Sequence, residues 1–425
     1  LKTASLKLKK IQSVSGQVIM PGSKSLSNRA LLVSALARGK TKLLNVLKSD
    51  DTSRMIDALK QLGVNLNAVT GSIDVTGIDG VFDKGLNKLT LDLGNAGTAM
   101  RPLCAALSVS SGVFTLTGEP RMMERPIGPL TEALKEIGCN IEYLNNDGFP
   151  PLQIRGTTPK KHSIRVSGDT SSQFITALLM TAPVCGGLDI SVSGDLISKP
   201  YVDLTIKLIE KFGAKVHRNG YSSFKVEGSG YTSPGSYLIE GDATGATYFA
   251  AAAAIKGQLE IYGLPDDSVQ GDIRFFDVLK KMGAKVTRQE NSILVKSGKL
   301  HGIEIDMNSM PDAAMTLVPL AMYTDSPVVI KNIASWRVKE TDRIDAMVKE
   351  MTKLGVKVES GDDWISIDAS KRNDATPVFD TYNDHRMAMC MSLIAFDREV
   401  VINDPDCIRK TFPTYFTLLN SVAKN

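Results

Sequence analysis

Six apolar, helix-like runs along this chain each begin at a short stretch rich in Gly, Ser, Thr, Asp and Asn. The starts are Gly22–Arg29, Gly94–Arg101, Ser167–Gln173, Gly241–Thr247, Ser309–Asp312 and Tyr382–Arg386. The runs that follow, such as Ala30–Ala37 and Ala250–Ile255, are apolar nearly all round, which predicts buried helices. A later helix in each of the first five units ends in an apolar-Gly-apolar step, centred on Gly63, Gly138, Gly213, Gly283 and Gly355. Glycine just past a helix is the usual residue for a left-handed stop. The steps recur every 70–75 residues, far longer than solenoid repeats of roughly 20–50. Each unit reads helix, strand, helix, strand, strand. The sixth stops after its second helix near Leu419, and the alternating segment Leu6–Met20 has no helix before it. The expectation is that this segment completes the sixth unit.

A chain of 425 residues is too long for one ordinary core, and two domains of about 200 residues are expected. Three units in each put the crossings near Met20–Ser23 and Ile239–Asp242. Domain one is then discontinuous, 1–20 plus 241–425, and domain two is 21–240. Helices alternating with short strands give an α/β class.

Composition narrows the function. No apolar run reaches the ~18 residues of a membrane span, and Leu1–Ile11 lacks the apolar core of a signal peptide. Net charge is +4 with both signs interspersed and 6% aromatic residues, unlike a basic nucleic-acid face with stacking platforms. Five cysteines form no CxxC pair, which reads as reduced thiols and a cytoplasmic location. No nucleotide-binding loop, zinc motif or closely spaced histidine pair occurs, so neither a cofactor nor a metal is expected.

What remains is small anions. A helix N-terminus has unpaired N–H groups and partial positive charge, and several of these starts carry cations. Lys24, Ser25 and Arg29 lie in the first start and Gly97 in the second, where a ligand could approach bare backbone. Pro102 is placed in the first turn of that helix, where its missing N–H costs little. Ser171, Ser172 and Gln173 offer neutral donors. Asp312 reads either as a helix cap or as a general base. Lys339, Glu340 and Arg343, taken as neighbours on a helix, read as a solvated charged face or as a salt-bridged proton donor. His385 and Arg386 open the sixth run, and His385 also fits a buried structural histidine. Arg125, Ser198 and Lys410 stand at the starts of second helices. Each residue alone has a structural explanation, but six repetitions of the same arrangement favour one large anion site.

At this point the motifs are recognisable. Pro21-Gly-Ser-Lys-Ser25, Gly94-Asn-Ala-Gly-Thr-Ala-Met-Arg-Pro-Leu103, Gly118-Glu-Pro-Arg-Met122, Glu124-Arg-Pro-Ile127 and Ser198-Lys-Pro-Tyr201 resemble the EPSP (5-enolpyruvylshikimate-3-phosphate) synthases. Arg337-Val-Lys-Glu-Thr-Asp-Arg343 and Asn383-Asp-His-Arg-Met-Ala-Met389 do so as well, in order, from about residue 7 to 420. The resemblance implies a two-domain inside-out α/β prism with its active site in the cleft, three repeats per domain, and no cofactor or metal. It implies transfer of the enolpyruvyl group of phosphoenolpyruvate to the 5-hydroxyl of shikimate 3-phosphate, through a tetrahedral ketal-phosphate intermediate, in aromatic amino-acid biosynthesis. Carried over by position, shikimate 3-phosphate meets Lys24, Ser25, Arg29, Ser171, Ser172, Gln173, Ser198, Tyr201, Asp312 and Lys339. Phosphoenolpyruvate meets Lys24, Gly97, Arg125, Gln173, Arg343, Arg386 and Lys410. Asp312 and Glu340 are the expected acid/base pair, with Lys24 an alternative and His385 a support. Glyphosate is the expected inhibitor, and a monomer the expected state. Ser335 departs from the Asn that many relatives place before the Trp. The nearest rival, a UDP-N-acetylglucosamine enolpyruvyl transferase, usually carries a Cys in a mobile loop, and Gly118–Arg125 has none. An RNA 3′-terminal phosphate cyclase would need a reactive His and a basic RNA track.

Overall fold

The computed structural model describes residues 4–424. The chain divides into two compact units, Gly22–Ile239, and Leu1–Pro21 together with Glu240–Asn425. Of the expected boundaries, residues 1–3 and 425 lie outside the described residues.

Three units of the repeat build each compact unit. The first helices are α1 (Lys24–Leu36), α3 (Gly97–Ser108), α5 (Ser172–Thr181), α7 (Ala243–Ile255), α9 (Pro311–Ala314) with α10 (Leu317–Leu320), and α12 (His385–Ser392). The second helices are α2 (Asp50–Gln61), α4 (Gly128–Glu136), α6 (Lys199–Lys211), α8 (Phe275–Lys281), α11 (Arg343–Thr352) and α13 (Tyr415–Val422). First helices are interior elements: every residue from Ala243 to Ala254 is buried, matching an apolar stripe that runs all round. Strands lie outside them, with Lys40 and Lys42 of Lys40–Leu44 facing solvent between buried neighbours. The five glycines past the second helices all have positive φ, from +74° at Gly355 to +111° at Gly283, so they supply the left-handed stop.

Beyond the alternating segment Leu6–Met20, periodicity missed one element in each of the other repeats. A strand precedes each first helix, and in the second, third, fifth and sixth repeats it pairs parallel with the strand after that helix, as Ser163–Ser167 does with Gly187–Ser193. That strand pairs antiparallel with Ser223–Glu227, itself in a hairpin with Val216–Asn219. Several leading strands are short, three residues at Ser236–Leu238 and Glu304–Asp306 and two at Val378–Phe379, so period-two alternation has no room to appear there. The ten-residue Asp83–Asp92 is interrupted by a register shift between Asp83 and Lys88.

The N-terminal expectation needs correction. Ser5–Leu8 does join the sixth repeat, antiparallel to Val400–Asn403. Ser13–Ile19 instead pairs parallel with Gly257–Tyr262 of the fourth repeat, and antiparallel with the final strand Ala423–Lys424. The matching leading strand Ser236–Leu238 serves the first repeat by pairing with Lys40–Leu44. Two leading strands are thus exchanged where the chain crosses. The fifth helix is also broken: Pro319 lacks an N–H and its ring crowds the Met315 carbonyl, so the expected run splits into α9 and α10. Pro102 is the sixth residue of α3 rather than part of its first turn.

Candidate functional site

Each compact unit holds one dense polar cluster at its helix starts. In Gly22–Ile239 the cluster is built on α1, α2, α3 and α5. Lys24 opens α1 and pairs with Asp51 at 3.3 Å. Asp51 is held at the start of α2, where Ser49 and Thr52 form a reciprocal capping box. One turn into α1, Asn28 donates to the Thr98 hydroxyl at 2.7 Å, tying α1 to α3. Arg125 is 5% exposed, and its Nη1 donates to the Asn95 carbonyl at 3.0 Å and side chain at 2.9 Å. Its buried Nε has no hydrogen-bond partner.

Gly97 explains itself here. A methyl at that position would lie 2.8 Å from Arg125 Nη2, and 3.2 Å from both Arg101 Nη1 and Gln173 Oε1. Three polar side chains therefore converge over the start of α3, and only glycine leaves the space between them open. Gln173 is fixed from below, since its backbone N–H donates to the Ser171 cap at 3.2 Å. Ser198 takes a left-handed φ of 53° before α6, and its carbonyl accepts from the Tyr201 N–H at 3.1 Å. Arg29 behaves differently. Its Nε donates to Thr205 at 2.8 Å and its Nη1 to the Ser25 carbonyl at 3.0 Å, so it cross-links α1 to α6. Burial lowers its pKa to about 10.

In the other unit the cluster is built on α9, α11, α12 and the loop before α11. Arg343 is fully buried and grips three carboxylates: Asp384 at 2.8 Å, Asp312 at 2.9 Å and Glu340 at 2.9 Å. Burial works against its charge, but Asp384, Glu340 and Asp312 outweigh that and hold its pKa above the ordinary value. Asp312 also meets Lys339 at 3.3 Å and Arg386 at 3.1 Å. Lys410 approaches Glu340 at 3.9 Å. His385 has a fully buried ring, with Nδ1 3.4 Å from Asp384.

Two local expectations change. Asp312 is not a cap: Met310 holds that position, and the Asp312 carboxylate turns to the cations. Lys339 and Glu340 are not on a helix. They lie in the turn between the 3₁₀ segment Ala334–Val338 and α11, where Asp342 caps α11 by accepting the Asp345 N–H at 3.2 Å. Nearby, Asp272 is buried and accepts a hydrogen bond from Thr244. Burial is the main reason its pKa is pushed up to about 6, with Asp312 and Asp242 adding to the rise and the Thr244 hydrogen bond and Arg386 opposing it.

Asp51, Asn95, Arg101, Asp272 and Asp384 were not singled out from sequence. Asp384 had a signal: it stands inside Asn383-Asp-His-Arg386, read for its His and Arg. All five cysteines are buried. Burial pushes the thiols of Cys104, Cys185 and Cys407 up to about 12 and that of Cys139 to about 11, with Cys390 also raised. None is suited to a loop acid of the rival enolpyruvyl transferase. No helix among the described residues is long and apolar enough to cross a membrane.

With this geometry in hand, comparison with known proteins gives consistent matches. The family model described as EPSP synthase (3-phosphoshikimate 1-carboxyvinyltransferase) matches residues 8–419. A protein named 3-phosphoshikimate 1-carboxyvinyltransferase from Shewanella piezotolerans is 49% identical over 424 residues, 98% of this chain and 99% of that one. One of the same name from Shewanella oneidensis is 50% identical over 423 residues, with 98% and 99% covered. Among solved structures, EPSP synthase from Acinetobacter baumannii aligns with a TM-score of 0.81 at 23% identity, covering 99% of this chain and 98% of that one. The enolpyruvyl transferase NikO from Streptomyces tendae aligns at 0.79 and 16% identity, with the same shares covered. These two structures speak for the fold alone.

Proposed function

The chain belongs to the EPSP synthase family, and on that premise we propose how its two polar clusters divide the work of enolpyruvyl transfer. The protein is a 3-phosphoshikimate 1-carboxyvinyltransferase. Phosphoenolpyruvate and shikimate 3-phosphate give EPSP and phosphate.

The 5-hydroxyl oxygen of shikimate 3-phosphate attacks C2 of phosphoenolpyruvate while a proton is added at C3, giving the tetrahedral ketal phosphate. Loss of a C3 proton and of phosphate then yields the enol ether. Asp312 takes the hydroxyl proton. Glu340 gives and recovers the methylene proton, with Lys24 the alternative. His385, fully enclosed and beside Asp384, is better placed to position that carboxylate than to touch substrate. Lys24, Ser25, Arg29, Ser171, Ser172, Gln173, Ser198, Tyr201, Asp312 and Lys339 are assigned to shikimate 3-phosphate. Lys24, Gly97, Arg125, Gln173, Arg343, Arg386 and Lys410 are assigned to phosphoenolpyruvate. For Arg29, whose Nε and Nη1 are engaged by Thr205 and Ser25, the remaining Nη2 is the atom available to a ligand. Glyphosate is proposed to compete with phosphoenolpyruvate.

One observation carries this reading: a partly exposed carboxylate, Asp312, sits within 3.3 Å of three cations beside a second carboxylate, Glu340, on the same arginine. A binding protein for anions gains nothing from acids at its cations. An acid/base catalyst requires them. Asp312→Asn should leave shikimate 3-phosphate binding within several-fold and lower kcat by roughly 10²–10⁴. Phosphate release, assayed with each substrate omitted in turn, tests both the reaction and the variant. Near-normal turnover would reduce Asp312 to an ion-pair partner. We also place the enzyme in the cytoplasm, on its buried thiols, and as a monomer, since one chain carries every assigned ligand. A sedimentation mass well above 45.9 kDa would overturn the latter.

A further inference from the structure

Asp312 is distinguished from its neighbours by how it meets the cations. Its Oδ1 accepts from Arg343 Nη1 at 2.9 Å and its Oδ2 accepts from Arg386 Nη2 at 3.1 Å. It therefore bridges two guanidinium edges, which is the way a phosphate or carboxylate ligand engages paired arginines. It is also the most accessible acid of the set, with a side chain 16% exposed against 6% for Glu340 and 0% for Asp384.

The other partners of the two arginines form a frame that does not depend on Asp312. Arg343 is held by Asp384 through Nε and by Glu340 through Nη2. Arg386 donates from Nη1 to the Tyr248 hydroxyl at 3.2 Å. Tyr248 is itself fixed, fully buried on α7 with its ring 5.8 Å from that of Tyr415 in an edge-on contact. Burial holds its pKa well above the usual value, so the hydroxyl stays neutral. A neutral partner orients a guanidinium without cancelling its charge.

We propose that Asp312 and a substrate anion compete for the same edges of Arg343 and Arg386, and that Tyr248 is the positioning residue that keeps Arg386 in place when Asp312 withdraws. This rests on the assignment of both arginines to phosphoenolpyruvate made above. Its consequence is a coupling. The anion that takes the guanidiniums releases Asp312 from them, and the carboxylate is then available to the 5-hydroxyl proton. Base and substrate are exchanged at the same atoms, so the base becomes available only when its co-substrate has bound.

The test is equilibrium titration of the full-length protein with inorganic phosphate, and separately with phosphoenolpyruvate, without the second substrate. Asp312→Asn should bind both about five- to tenfold tighter than wild type, because a charged competitor is gone while the cations remain framed. Tyr248→Phe should bind both several-fold more weakly at an unchanged melting temperature, since the ring packing is kept. Asp312→Ser carries the same expectation if the Asn variant folds poorly. Equal or weaker binding by the Asp312 variants overturns the competition, provided Arg386→Ala abolishes binding. Unchanged binding by Tyr248→Phe removes its positioning role. If Arg386→Ala binds as wild type does, the assignment of the anion site fails instead.

Discussion

The two polar clusters solve the same problem, a set of buried cations, in opposite ways. In the unit holding α9, α11 and α12, Arg343 is ringed by Asp312, Glu340 and Asp384. In the unit holding α1, α3 and α5, Arg125 and Arg29 are held by neutral acceptors: Asn95, Thr205 and a backbone carbonyl. Only Lys24 there has an acid within salt-bridge distance, Asp51, among these three cations. A buried arginine surrounded by carboxylates is locked and largely neutralised. One held by amide and hydroxyl oxygens keeps its charge for a ligand. The first arrangement suits proton transfer, with an anion reaching Arg343 and Arg386 only by displacing Asp312, and the second suits direct anion binding.

That contrast can be broken in graded steps. Asp384→Ala should have the largest effect on stability, about 3–5 kcal/mol, because it strips a 2.8 Å partner from a fully buried guanidinium; urea unfolding measures it, and a loss under 1 kcal/mol would mean the frame is redundant. Arg125→Ala removes a cation held by neutral groups, so it should leave stability nearly unchanged. It should raise the phosphoenolpyruvate KM by about 100-fold, the value of a lost charge-assisted contact.

Asp272 gives a pH signature confined to the acid-rich unit. Its folded pKa of about 6 lies above the ordinary 3.8, so the native state binds this proton more tightly than the unfolded chain. Stability is therefore lost as pH rises from about 4 to 6, and the loss is complete above that window. Asp272→Asn should recover about 1–3 kcal/mol at pH 7.5 and progressively less towards pH 4.5. A gain that is flat with pH would contradict the assignment. The smallest effect on the natural reaction is expected from Gly97→Ala. Its methyl meets Arg125, Arg101 and Gln173 at 2.8–3.2 Å, all flexible side-chain ends. Phosphoenolpyruvate should tolerate their small retreat, while glyphosate, which is longer, should lose at least tenfold in potency; inhibition curves on both proteins compare the two.

Much of this architecture was legible in the sequence because it is repetitive. All-round apolar runs marked the interior helices, and glycines at fixed spacing marked where the second helices stop. Most leading strands were not legible: four of them have only two to five residues, too few for alternation, and the longer Asp83–Asp92 is broken by a register shift. The exchange of Ser13–Ile19 and Ser236–Leu238 between repeats is a pairing choice that no local pattern encodes. The site was legible through its charged motifs, yet those motifs did not say which acid meets which base. Asp312 reads as a cap and Lys339–Arg343 as a helical face. The starts of α9, α11 and α12 and the turn before α11 bring Asp312, Glu340, Arg343 and Arg386 together. Tyr248 and Asp272 sit in apolar and loop contexts where sequence offers no hint of a polar role.

The acid-rich cluster carries the proton chemistry as well as part of the anion site, whereas the neutrally held Arg125 serves anion binding alone, and a paired kinetic comparison addresses this directly. Steady-state phosphate release should be measured for Asp312→Asn and Arg125→Ala, with phosphoenolpyruvate varied at saturating shikimate 3-phosphate. A split is expected: Asp312→Asn loses kcat by roughly 10²–10⁴ with a KM unchanged or lower. Arg125→Ala raises KM by about 100-fold with kcat within about tenfold of wild type. If both variants lose kcat alike, or if Asp312→Asn acts through KM alone, the division of labour between the clusters is wrong.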